Sequence, residues 1–397
     1  MKTNWDLTVF YKDFDDPEFK NDLARLPKEI DAFTAAIAAP AEDEVSKLVS
    51  LVHQEEALSC LFERLSMMIE LNFAVDANNK PANAALAPLM RAYMDSSLAA
   101  NAFSRYLASL ENLDAIIDAD DELKARAFAL REAAENAKHQ LPEALEKPVL
   151  KMQLSGGEAF SQLRDKLDAT LLVDYDGKQI PLSAVRALAY DGDADTRRRA
   201  YEAELASYKK IELPMSFCLN NLKAEGETMA ALKGYKGVLD MALAHSRMDE
   251  KTLEAMWTAI REALPELREY FKAKGRLLGH ENGLPFYDLF APVGQSTRTY
   301  TVEEARALLL DLFGKFCPEM GEMMRTAFDE GWIDMFPREG KSGGAFCSGY
   351  YAKNISRVMT NFAGSASDVS TLAHELGHAF NNRMLHHKPI MMTETPM

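Results

Sequence analysis

Between Glu250 and Gly279 apolar side chains recur at Leu253, Trp257, Ile260, Leu264, Leu267 and Phe271, alternately three and four apart. That spacing puts them on one stripe of an α-helix. Pro265 lies inside the stretch and predicts a kink or a break, because it has no amide hydrogen to donate. Residues 43–75, 83–110, 119–140, 194–232 and 302–327 read as further helices, rich in Ala, Leu, Glu and Lys with few internal Gly or Pro.

Strand patterns are few. "LLVDYDGKQIPL" (171–182) has apolar runs on either side of Asp176-Gly177, a hairpin turn dipeptide. "GGAFCSGYY" and "SRVMTNF" read as a second strand pair, directly ahead of another helical stretch. No internal repeat, low-complexity tract or flexible linker stands out. Gly and Asp cluster in "LAYDGDADT" (188–196), which predicts a seam between an N-terminal helical domain, 1–190, and a second domain, 191–397. The fold class expected is mainly α, with a small sheet beside the last helix.

With 397 residues the chain exceeds one simple core, and its 47% apolar fraction is ample for two. A formal net charge of −16 argues against nucleic acid and anionic membrane as partners, since both demand a basic face. The four cysteines (Cys60, Cys218, Cys317, Cys347) are far apart and form no C-x-x-C pair, which fits reduced thiols in a cytoplasmic protein. The acidic, aromatic N-terminus has no basic or apolar region of a signal peptide. No apolar run reaches the length of a membrane span.

The candidate chemistry sits in "NFAGSASDVSTLAHELGHAFNNRML", which reads as a strand end, a loop and a helix. Ser365 or Ser367 suits the helix cap and Asp368 its first turn. His374 and His378 are four apart, so their imidazoles project from one face and can grip a single zinc ion. Glu375 lies beside that face, where a carboxylate can take a proton from water as general base. Val369, Leu372, Leu376 and Phe380 mark the buried side, and Gly377 would let a neighbouring backbone come close. Two unrelated histidines on an ordinary helix are the bland alternative. Zinc peptidases lay extended substrates along an edge strand near such a helix, and the strand pair ahead of it favours the metal reading.

The block "SGGAFCSGYYAKNISRVMTNFAGSASDVSTLAHELGHAF" resembles the strand, strand and metal-helix segment of the oligoendopeptidase F and thimet-oligopeptidase group of zinc oligopeptidases. "LNNLKAEGETMAALKGYKGVLDMALAHSRMDEKTLEAM" (219–256), "GLPFYDLFAPVG" (283–294) and "NWDLTVFYKDFDDPEF" are similar to other parts of that family. The resemblance implies a helical ellipsoid with a deep channel, one zinc ion per chain, and cytoplasmic cleavage of short peptides. Carried over residue by residue, it makes His374 and His378 zinc ligands and Glu375 the general base. It also lays the substrate backbone along the strand Gly343, Gly344, Ala345, Phe346 and Cys347, with Ala345 near the centre.

Two departures from the family stand out. Asn381 follows "GHAF" where many members have another His. In the family a Glu on the next helix, in a block of the kind Pro-Met-x-x-Ala-Glu-x-x-Ser, is the third ligand, and this chain reaches only Thr395-Pro396-Met397. The expectation is therefore an N-terminal portion of an oligopeptidase, ending short of the third ligand. Its alternative is a catalytically incomplete helical scaffold that binds peptides. Glu394, the only acid in the tail, is open as a substitute ligand, although Pro396 disfavours a helix there. His386 and His387 are read as solvated. His53, His139, His245 and His280 are read as structural, Cys347 as a buried thiol, and "DADDE" (118–122) as a solvated helix start.

Overall fold

The computed structural model describes residues 2–294, 298–338 and 340–395. It is mainly helical, as expected, with two small sheets. The chain packs as two compact units: residues 2–138 together with 298–395, and residues 139–294. Thus the seam expected near 188–196 lies inside the second unit, where the helices on either side of it pack together. By compactness the first 138 residues join the last hundred.

The first unit begins with three long helices, α1 (Pro17–Ala38), α2 (Glu44–Val75) and α3 (Lys80–Ser109). Each starts on an acid or amide that accepts an amide hydrogen of the first turn: Asp16 from Glu18, Asp43 from Ser46 and Asn79 from Ala82. On α1, Phe19, Leu26, Ile30, Phe33 and Ile37 form the inward stripe. They meet Leu48, Leu65 and Ile69 of α2 and Leu89 and Phe103 of α3 in one core. Phe10 and Tyr11 from the N-terminal segment complete it, and the Tyr11 hydroxyl donates to the buried Asp22 at 2.8 Å.

A three-stranded sheet belongs to the same unit. Its members are β3 (Ile333–Asp334), β4 (Phe346–Tyr350) and β5 (Ile355–Met359), after the hairpin β1 (Leu172–Tyr175) and β2 (Lys178–Pro181) of the second unit. The strand order is β3-β5-β4, parallel then antiparallel, so β4 is an edge strand. β3 was not expected from sequence; at two residues it is too short to show a period. Side chains alternate along β4: Phe346 faces the helical core near Trp5, while Cys347 faces a second core. Arg357 of β5 is buried and donates from Nε and Nη2 to the Asp6 carbonyl, tying the N-terminal segment to the sheet. The second core joins helices Val302–Phe316 and Pro318–Glu330 to β3, β5 and the last helix, Ala366–Leu385. The single helix expected at 302–327 is thus two, parted at Cys317, with Pro318 starting the second.

In the second unit β1 and β2 pair around Asp176 and Gly177, both with positive φ, as the turn dipeptide predicts. The stretch 194–232 divides into Ala194–Tyr208 and Glu212–Leu232. The helix Glu250–Leu277 runs without interruption through Pro265, so no break occurs there. Its predicted stripe is present but faces outward: Trp257, Ile260, Leu267 and Phe271 are exposed. Arg197 and Asp288 form a buried pair, Nε to Oδ1 at 2.8 Å, and His280 Nε2 lies 2.6 Å from the other carboxylate oxygen.

Candidate active site

The last helix, Ala366–Leu385, carries His374, Glu375 and His378; this signature helix begins shortly after the chain leaves β5. Ser365 is its N-cap: its hydroxyl accepts from the Asp368 amide at 3.1 Å, and the Asp368 carboxylate accepts from the Ser365 amide at 2.9 Å and the Ala363 amide at 3.0 Å. Gly364, just before the cap, has φ of +95°, and a Cβ there would stand 2.9 Å from the Tyr300 carbonyl. Both conditions demand glycine. The Tyr300 amide closes the contact by donating to the Gly364 carbonyl at 2.8 Å. The direction of the helix is therefore fixed at its first residue.

Val369, Leu372 and Leu376 face the second core, as the pattern predicts; Ala379, not singled out by it, is buried there too, and Phe380 is half-buried against the same core. The close backbone approach expected at Gly377 does not occur, since a Cβ there would meet nothing within 4 Å. Close approach is found instead at Gly349 of β4, where the Asn382 side chain of the helix packs. On the opposite face of the helix His374 and His378 are exposed, with their rings 4.7 Å apart and nearly perpendicular. Their Nε2 atoms converge to 3.1 Å. Two nitrogens at Zn–N distances of about 2.0–2.1 Å on a tetrahedron are roughly 3.3 Å apart, so this pair fits a zinc ion with little adjustment.

Glu375 is only 7% exposed, yet it lines a cavity of about 630 Å³ together with His374. The facing wall is Gly344, Ala345, Thr360 and Asn361. Of the residues singled out from sequence, this cavity gathers Gly344, Ala345, His374 and Glu375. Gly343, Phe346, Cys347 and His378 do not line it. The strand expected over Gly343–Cys347 begins only at Phe346, and Gly343–Ala345 is the bend leading into it. Phe346 and Cys347 turn their side chains into the two cores, which leaves backbone groups as what they can offer a ligand. Burial pushes the Cys347 thiol up to about 12, with the Glu375 charge adding to the effect. That describes an inert thiol, although the residue is half-buried where the sequence reading had it buried.

Among the described residues no group of three His, Cys, Asp or Glu is placed to hold a metal. Glu394 does not join the histidine pair in such a group; its charge instead helps raise the Glu55 carboxyl, which burial has already shifted upward. His386, read as solvated, is half-buried, with its ring 5.2 Å from that of Tyr351. The other histidines have partners: His53 with Glu122, His139 stacked on Tyr235, His245 edge-on to Tyr235, His280 with Asp288, and the exposed His387 with the Met384 carbonyl. Sequence reasoning missed Asn361 and Lys341, which hold the glycine bend. "TNF" read as the end of a strand and "GKSGG" as the glycine-rich approach to another, and neither pattern marks a side chain that holds a bend.

The model of peptidase family M3 matches residues 187–389, and that of oligopeptidase F matches residues 108–172. The chain is 21% identical over 399 residues to an oligoendopeptidase F homolog of Lactococcus lactis, covering 96% of this chain and 64% of that relative. It is 25% identical over 280 residues to oligopeptidase PepF of Bacillus subtilis, covering 68% of this chain and 41% of the relative. Among solved structures it is similar to PZ peptidase A with an inhibitor, at a TM-score of 0.73 and 19% identity, covering 94% of this chain and 64% of that one. The oligoendopeptidase-F of Enterococcus faecium superposes at a TM-score of 0.60 and 18% identity, covering 78% and 63%. The chain thus spans less than two thirds of the length of these relatives. The family match takes in more than half of the 397 residues, including the strands and the helix that build this site, and the chain belongs to peptidase family M3.

Proposed function

We propose that the chain carries the metal-ligand pair and the general base of a zinc-dependent endopeptidase acting on short peptides in the cytoplasm. The observation that carries the reading is the convergence of the His374 and His378 Nε2 atoms to 3.1 Å beside a cavity that Glu375 shares with the bend leading into an edge strand. When bound between the two imidazoles, zinc would supply a Lewis acid for a peptide carbonyl and lower the pKa of water. Glu375 takes the proton of the attacking water and hands it to the departing amine nitrogen. The backbone of Gly343–Cys347, which leads into the edge strand β4, pairs with the extended substrate and orients the scissile bond toward Glu375. The deep channel and the exclusion of folded proteins belong to the same proposal and rest on the family.

A second reading is favoured by one observation: no third metal-holding side chain joins the two histidines among the described residues. On that reading the 397-residue chain binds peptides without turning them over. Zinc content and cleavage of a quenched-fluorescent peptide, measured on the same sample of the 397-residue chain, decide between the two. Glu375→Gln is expected to keep its zinc and lose about a hundredfold or more in kcat. Normal turnover by that variant would remove Glu375 from the reaction.

A further inference from the structure

The bend 342–344 is exposed and contains two glycines, so it has few side chains with which to anchor itself. Its position is set from outside. Asn361, on the short segment between β5 and the signature helix, donates from Nδ2 to the Ser342 carbonyl at 2.9 Å and to the Gly344 carbonyl at 2.9 Å. Both amide hydrogens are thereby spent on the bend.

Immediately before the bend stands Lys341, whose side chain is 0% exposed. Its Nζ lies 2.7 Å from Asp334 Oδ1 and donates to the carbonyls of Phe336 at 2.8 Å, Asp334 at 3.2 Å and Thr360. Asp334, 1% exposed, also accepts both Arg338 nitrogens, at 2.7 and 2.9 Å. Burial holds the Lys341 ammonium below the ordinary lysine range, and Asp334 works in the opposite direction. A buried ammonium is costly unless every hydrogen is used, and an apolar side chain would fill this space at lower cost. What the ammonium adds is direction: it joins the end of β3, the end of β5 and the start of the bend at one point.

We propose that Asn361 and Lys341 are positioning residues for peptide cleavage, fixing the backbone of 342–345 as the wall that faces Glu375 across the cavity. The inference rests on the reading of that cavity as the peptide site. It adds that the register of a bound peptide is set through the bend, by a carboxamide at the cavity wall and an ammonium that does not line the cavity.

The experiment uses the complete encoded polypeptide, zinc-loaded, with Asn361→Ala, Asn361→Asp, Lys341→Met and Lys341→Arg. Four quantities are read: kcat, KM for a quenched-fluorescent peptide, zinc content, and amide exchange over 342–347. Loss of two hydrogen bonds to the bend should raise KM about tenfold and speed exchange by a similar factor. Zinc content should be unchanged and kcat should change by less than about twofold. Asn361→Asp, which cannot donate, should behave as the alanine variant does, and Lys341→Arg should recover part of what Lys341→Met loses. Where Lys341→Met does not fold, the two Asn361 variants decide alone. Unchanged KM in Asn361→Ala, with or without faster exchange, overturns the proposal. A wild-type protein that neither cleaves nor binds the peptide overturns the peptide reading itself, and unchanged exchange in the variants would show separately that no clamp exists.

Discussion

A Cβ placed on Gly349 would stand 2.8 Å from the Asn382 Nδ2 and 3.0 Å from its Cγ, so the edge strand β4 and the signature helix touch at these two residues with no room to spare. The contact is tight from both sides. Gly349 sits opposite Ser356 in the β4–β5 ladder, and Asn382 reaches the Ser356 hydroxyl at 3.4 Å. Strand and histidine helix are thus spaced by one glycine. Gly349→Ala is expected to cost about 1–3 kcal/mol, the usual result of overpacking a filled site. Asn382→Ala in the same chain should return a good part of that loss, because neighbours in contact are not additive. Urea unfolding of the two single variants and the double variant measures the coupling; strict additivity would show that the contact carries no strain.

The Cys347 thiol offers a test by pH. Its folded value is pushed up to about 12, above the ordinary 9.0, chiefly by burial. The thiol form is therefore favoured by the fold. This contribution to stability is complete below pH 9 and is lost between pH 9 and about 12 as the unfolded chain deprotonates first. The same shift leaves roughly one thiolate in ten thousand at pH 8. Iodoacetamide at pH 8 should leave Cys347 unmodified in the folded chain and label it fully in urea, as read by peptide mass spectrometry. Rapid labelling under native conditions would place the thiol in contact with water.

In the second unit, Arg197 and Asp288 are 3% and 1% exposed and 2.8 Å apart. Arg197→Met leaves the carboxylate buried with His280 as its remaining side-chain partner, and should cost about 3–5 kcal/mol. Replacing both members, Arg197→Met with Asp288→Leu, should be much closer to neutral, since the burial cost of both charges disappears together. The midpoint of chemical denaturation separates the outcomes. Equal damage from the double and single replacements would mean that shape, not charge, matters here.

What sequence shows and hides is clear from particular residues. The signature helix was legible because its determinants are local: a serine cap, an acid at the third helical position, and apolar residues on one side. The acidic start at 118–122 was legible for the same reason, with Asp120 accepting from the Glu122 and Leu123 amides. Lys341 was not legible. In "REGKSGG" it resembles any solvated lysine, and only the folded chain brings Asp334 and three carbonyls around it. The stripe of Glu250–Leu277 was read correctly as one face, but periodicity does not say what a face meets, and Trp257 and Phe271 are exposed. Pro318 was visible in the sequence, yet the helix break it marks lay inside an otherwise continuous apolar pattern.

Zinc affinity of the 397-residue chain follows from its donors. Catalytic zinc sites use three protein ligands plus water, and two imidazoles supply half of a four-coordinate shell. Complete four-ligand sites gain about 10–16 kcal/mol at pH 7. Half of that corresponds to a Kd between about 1 µM and 0.2 mM. The chain should bind one zinc ion in that range, with His374→Ala and His378→Ala each weakening it at least tenfold, and Glu375→Gln leaving it unchanged. Equilibrium dialysis against zinc is the direct measurement. Nanomolar one-to-one binding would show that a further side chain of this chain joins His374 and His378 when the metal is present. Zinc retained after either histidine is removed would place the metal elsewhere.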